Sequence, residues 1–125
     1  MENVRIKENA VGEKSMLFAV RIVNLHRHLL RSHREHVLAK QVLRSETSIG
    51  ANVREAESAQ SKPDFLSKMS IALKECGETA YWLELLMRTD CISKPEYNSI
   101  SADCGELFAL LTAIIKSSRR SIVSR

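Results

Sequence analysis

At 125 residues, 44% of them hydrophobic and 27% charged, the chain has the size of one domain, enough apolar material for a sizeable core and no room for a second domain. Only four Gly and two Pro interrupt it, which excludes a turn-rich all-β fold and leaves helices as the expectation. A net charge of +4 and a pI of about 9.2 admit a polyanionic partner.

Residues 1–14 are polar and mixed in charge, without the cationic start and apolar stretch of a secretory signal. A flexible N-terminal arm and a cytoplasmic location are expected. The longest nearly apolar run, Leu107 to Ile115, is far short of the roughly 20 residues a bilayer requires, so no membrane association is expected. Cys76, Cys91 and Cys104 are an odd set with no CxxC pair, which argues against a disulfide framework and a thiolate metal site. Cys76 and Cys104 read as small core residues.

Helical periodicity runs from Ser15 to about Arg34 and from about Glu35 to Gln60, with a tight turn expected near Ser32 to His36. Two later segments, Ser61-Lys62-Pro63-Asp64-Phe65 and Ser93-Lys94-Pro95-Glu96-Tyr97, share the chemistry of a helix start. In each, Ser caps a free amide, Pro sits in the first turn, and the acid favours the positive helix end. Short connections make consecutive helices antiparallel neighbours. The expected architecture is therefore all-α, an antiparallel up-down-up-down four-helix bundle over residues 15–118 with a basic C-terminal tail at 119–125.

The helix faces carry the next expectations. In the third helix, Phe65, Met69, Ala72, Leu73, Cys76, Ala80, Leu83 and Met87 form a core seam. Ile71, Trp82, Leu85 and Leu86 lie on the other side. In the first helix, Ala19, Val23 and Leu30 form one stripe, with Phe18 and Leu25 away from it. An apolar face left outside a bundle suggests another subunit, so Phe18, Leu25, Ile71, Trp82, Leu85 and Leu86 are candidate homo-oligomer interface residues.

The second helix buries Leu38, Val42, Ile49, Val53 and Ala56, yet Gln41, Ser45, Asn52 and Glu55 project in nearly the same direction. With Glu78 of the third helix and His26 and His33 of the first, they form a candidate interhelical polar network or, alternatively, a small-ligand pocket.

Catalysis finds no support. A di-iron bundle needs Glu-x-x-His, which is absent. His26, His28, His33 and His36 lack a carboxylate or thiolate at ligand spacing, so no metal is expected. No serine sits in a strand-turn-helix elbow and no Gly-rich loop cradles phosphates, so neither an enzyme nor a cofactor is expected. The charge pattern says more. Arg27, Arg31 and Arg34 share a face with Arg21 and His28 adjoining, and Lys116, Arg119, Arg120 and Arg125 follow near the C-terminus. Such clustering suits phosphate contacts in RNA or DNA, although a basic solvated face has the same appearance.

The second helix also carries a string: Gln41, Arg44-Ser45, Ser48-Ile49, Ala51-Asn52-Val53 and Glu55. Followed by Asp64-Phe65, Ser70-Ile71-Ala72 and Glu78, it resembles the bacterial four helix bundle protein family, also called the 23S rRNA intervening-sequence protein family. The likeness runs from about Phe18 to Leu111. It implies an up-down bundle assembling as a ring-shaped homopentamer. It also points to a related branch, the accessory protein of diversity-generating retroelements, a basic pentamer that binds nucleic acid and a reverse transcriptase. Two departures, Ala56 for a frequent Gly and Lys74-Glu75 for a common Gly-Ser, both favour helix. The expected function is a non-enzymatic oligomer that binds RNA or DNA with little sequence readout. The alternative is a protein-interaction scaffold for a partner such as a reverse transcriptase.

Overall fold

The computed structural model describes residues 2–123, and side chains from Lys7 to Arg120. Helix α1 (Glu2–His28) runs into a π-helical turn (Leu29–His33), and α2 (Val37–Glu57), α3 (Lys62–Arg88) and α4 (Lys94–Val123) follow. No strand occurs among the described residues.

The two later helix starts follow their local chemistry. Ser61 Oγ accepts the Asp64 N–H at 3.2 Å, and the Asp64 carboxylate in turn accepts the Gln60 N–H at 3.2 Å. Ser93 Oγ accepts the Glu96 N–H at 3.2 Å and donates to the Glu96 carboxylate at 2.9 Å. The break between the first two helices lies at Arg34–His36, within the expected Ser32 to His36 turn. Arg34 adopts the left-handed conformation at φ 51°, directing its N–H back to the Leu29 carbonyl, and the Glu35 N–H reaches the same carbonyl at 3.2 Å. Asp90 plays the equivalent part after α3 at φ 62°, where a short polar side chain is better tolerated.

Each helix buries one stripe at spacings of three and four. The stripes are Val11, Ser15, Phe18, Ile22 and Leu29 in α1; Ala39, Val42, Glu46, Ile49, Val53 and Ala56 in α2; Met69, Ala72, Cys76, Thr79, Leu83 and Leu86 in α3; and Ile100, Cys104, Leu107, Leu111, Ile114 and Ser118 in α4. Cross-helix pairs give the direction. Lys14 meets Glu106 and Arg21 meets Asp103, while Ser45 meets Thr79 and Glu55 meets Lys68, so α1 runs antiparallel to α4 and α2 to α3. The order is up-down-up-down, with each helix packed on its two flanking neighbours.

Three expectations change. The segment expected as an N-terminal arm is helical from Glu2, and Val11 is 1% exposed, because the inner stripe continues one turn N-terminal to Ser15. Phe18 and Leu86 are core residues at 3% and 0% exposure, not oligomer contacts, while Ala80 is exposed and Thr79 takes its place inside. Leu25, Leu30, Leu73 and Trp82 are half-buried at the edge of the core. The tail region is helical to Val123, and Arg125 lies outside the described residues. Residues Lys94–Arg120 have the length and mean hydropathy, 1.2, of a candidate membrane span. In the bundle their apolar face is the α4 stripe, which packs on α1 and α3.

A long side chain held left-handed costs on the order of 1 kcal/mol that glycine avoids. Arg34→Gly should therefore raise the unfolding free energy by about 1 kcal/mol in urea melts. An unchanged or lowered midpoint would mean that the Arg34 side chain offsets its backbone strain.

Candidate nucleic-acid interface and the polar groups behind it

The Arg-rich face divides in two. Arg21 is half-buried and committed: it donates to Asp103 at 2.6 Å and to Ser99 at 2.7 Å, tying α1 to α4. Arg27, Arg31 and Arg34 are exposed, and among the described residues none of these guanidiniums is in an ion pair, whereas Lys14, Arg44, Arg54, Lys68 and Arg88 each have a carboxylate. His28 and His33 pack edge to face at 5.7 Å, and Ser32 Oγ lies 3.3 Å from His28 Nδ1. This end of α1 leaves carbonyl oxygens without helical partners, and cations are favourable there. The same position leaves them open to solvent.

The expected polar network exists only in part, and its hub is a different residue. Arg44 Nε donates to Gln41 Oε1 at 3.1 Å, and the guanidinium lies 3.5 Å from Glu75 and pairs with Glu78; Glu78 also accepts the Trp82 indole N–H at 3.2 Å. Burial pushes the Glu78 carboxyl up, but the donors Trp82, Glu75 and Arg44 outweigh it and hold it below the ordinary range. Glu75 moves the other way through burial and the neighbouring Glu78. Ser45 belongs to a second, buried pair, accepting from Thr79 Oγ1 at 2.8 Å. Asn52 bonds within its own helix to Ser48, and Glu55 makes a surface pair with Lys68 at 3.8 Å. His33 is exposed and His26 half-buried, and neither joins the network. Trp82, expected at a subunit contact, is half-buried and donates its indole N–H to Glu78 within the chain.

Arg44 was signalled by matched spacing: Gln41 and Arg44 stand three apart on α2, as Glu75 and Glu78 do on α3. Glu46 is the larger omission. It falls on the inner stripe between Val42 and Ile49, is 0% exposed, and neither carboxylate oxygen has a hydrogen-bond partner among the described residues. Burial pushes its pKa up to about 7. Among the described residues, no group of three or more His, Cys, Asp or Glu is arranged to hold a metal ion.

The sign of the Glu46 effect follows from linkage. A carboxyl whose folded pKa is raised from 4.5 to about 7 favours folding when protonated, and that advantage is lost as pH rises from about 4.5 through 7. The loss amounts to about 3 kcal/mol. Glu46→Met should be more stable than the parent at pH 8 by about 3 kcal/mol or more, with a flatter stability profile between pH 5 and 8 in denaturant melts. An equally steep profile in the variant would place the pH dependence elsewhere.

With this geometry described, comparison with known proteins identifies the kind of molecule. No curated protein matches the chain. It is similar to a protein of unknown function from the S23 ribosomal protein family of Bacteroides thetaiotaomicron, whose crystal structure superposes with a TM-score of 0.87 at 57% identity over 88% of this chain and 98% of that one. The family model described as 23S rRNA-intervening sequence protein matches residues 7–113, and the chain belongs to that family.

Proposed function

We propose that the protein is a non-enzymatic, oligomeric helical module of the bacterial cytoplasm that binds RNA or DNA through phosphate contacts. The observation that carries this reading is the exposed set Arg27, Arg31 and Arg34 at one end of α1, beside His28, none of them in an ion pair among the described residues. Guanidiniums match phosphate geometry, and phosphate contacts carry no sequence information by themselves. Arg21 is left out, because Asp103 and Ser99 occupy it.

Each neutralised phosphate releases counterions, so log affinity should fall with log salt at a slope of about −0.9 per contact on duplex and about −0.7 on single strands. Replacing Arg27, Arg31 and Arg34 together with Ala should flatten that slope and weaken binding at least tenfold at low salt, roughly 1.4 kcal/mol. Fluorescence titration with structured RNA and with duplex DNA measures it. Absence of binding at low salt, or a slope indifferent to the triple substitution, overturns the reading.

Assembly has separate support. The exposed large apolar side chains Met16, Leu17 and Val20 lie on α1, at 52%, 61% and 54% exposure, and Ile71 and Tyr81 lie on α3, at 40% and 60%. α1 and α3 occupy opposite corners of the bundle, so the two patches face apart. A contact between unlike patches is head-to-tail, and when its rotation closes it generates a ring. The pentamer is the member of that class implied by the family resemblance, and a ring would repeat the Arg face around its circumference.

Head-to-tail assembly predicts a mixing result. Leu17→Asp and Tyr81→Asp should each be monomeric alone and form a one-to-one heterodimer when combined, since each retains the patch the other lacks; light scattering on a sizing column reads this. A wild-type monomer at micromolar concentration, or variants that do not complement, would rule out the arrangement.

A further inference from the structure

At the α3–α4 crossing the chain carries the same local chemistry twice: Glu75-Cys76-Gly77-Glu78 on α3 and Asp103-Cys104-Gly105-Glu106 on α4, each an acid, Cys, Gly and Glu. The two copies meet at their cysteines in a reciprocal contact. The Cys76 thiol donates to the Cys104 carbonyl at 3.5 Å, the Cys104 thiol to the Cys76 carbonyl at 3.6 Å, and the sulfurs are 3.8 Å apart. Both residues are buried, at 0% and 2% exposure.

Filling a gap in the core explains a cysteine, but not the glycine that follows it. Glycine inside a helix weakens it relative to Ala. Neither glycine is required by a positive φ, a Cβ on Gly105 would meet nothing within 4 Å, and one on Gly77 would make only an ordinary 3.9 Å contact with Phe108. What the two glycines supply is backbone compliance beside each sulfur.

We propose that Cys76 and Cys104 form a dithiol site that closes to an intramolecular disulfide joining α3 to α4. Closure brings the sulfurs from 3.8 Å to about 2.05 Å by thiol rotation and a small shift of the two helices. With a hydroperoxide as oxidant, one thiol attacks the terminal peroxide oxygen, giving a sulfenic acid and releasing water or an alcohol. The second sulfur then displaces the hydroxyl as water, so two thiols lose two electrons and two protons and the O–O bond is reduced. The contact between the two thiols is reciprocal, so either sulfur can attack first and the other resolves the sulfenic acid. Because the pair is dry, it reacts during transient opening and more slowly than an exposed thiol.

The test uses the full chain carrying Cys91→Ser, treated with hydrogen peroxide. Expected are the loss of both thiols, a mass decrease of about 2 Da with Cys76 linked to Cys104 in non-reduced peptide maps, and a thermal midpoint raised on the order of 10 °C that dithiothreitol reverses. Adding Gly105→Ala should slow closure several-fold while raising the melting point of the reduced form; an unchanged closure rate removes the glycines from the mechanism. A mass gain of about 32 Da from sulfinic acid, cross-links between chains, or thiols that survive until the protein is unfolded overturn the site. Should the Cys91→Ser chain fail to fold, peptide maps of the oxidised wild type distinguish the Cys76–Cys104 link from one involving Cys91.

Discussion

Four helices that each carry one apolar stripe can remove those stripes from water together only by turning them to a common axis, and every other feature of the chain is arranged around that constraint. Val11 through Leu29, Ala39 through Ala56, Met69 through Leu86 and Ile100 through Ile115 supply it. Burial of this kind is non-directional, so it drives collapse without choosing a register. The register comes from polar contacts between neighbouring helices: Arg21 on Asp103, Thr79 on Ser45, Lys68 near Glu55. Each names a particular residue opposite, and a slip of one turn along the helix would break it.

The core is less apolar than its function as a seam requires. Ser45, Thr79, Cys76, Cys104 and Glu46 all lie within it. The hydroxyls and thiols satisfy one another, whereas the Glu46 carboxylate oxygens have no partner among the described residues, and stability is lost as pH rises from about 4.5 through 7. Glu46 also acts on both cysteines, raising them by charge. The core's titratable groups, a carboxyl and two thiols, thus gather near its middle. Proteins that tolerate such groups hold stability in reserve elsewhere, here in the long stripes on either side.

The outside follows the same division between committed and free groups. Arg44 and Arg21 hold helices together and are spent on carboxylates, while Arg27, Arg31 and Arg34 gather at the end of α1 with no carboxylate partner among the described residues. Among the described residues, five of the seven exposed large apolar side chains lie on α1 and α3, with Val37 on α2 and Phe108 on α4. A cationic end and two diagonal apolar patches are the surfaces on which the proposed assembly and polyanion binding rest.

What the residues alone determined were events settled within a few positions of chain. The starts at Ser61 and Ser93, the break after His33 and the all-helical character depend on caps, prolines and periodicity that need no distant partner. Tertiary structure decided which of two stripes on α1 is the inner one and how far round the helix the expected α3 seam extends, and so moved Phe18 and Leu86 from surface to core. A helix with apolar residues on two sides has two self-consistent orientations, and only the stripes of its neighbours, up to 80 residues away, select between them. Separation along the chain, 82 and 28 residues, likewise hid the pairing of Arg21 with Asp103 and of Cys76 with Cys104. Glu46 was legible by position, on the line from Val42 to Ile49, and illegible by chemistry, because an unpaired carboxyl in a dry core opposes the rule by which core residues are recognised.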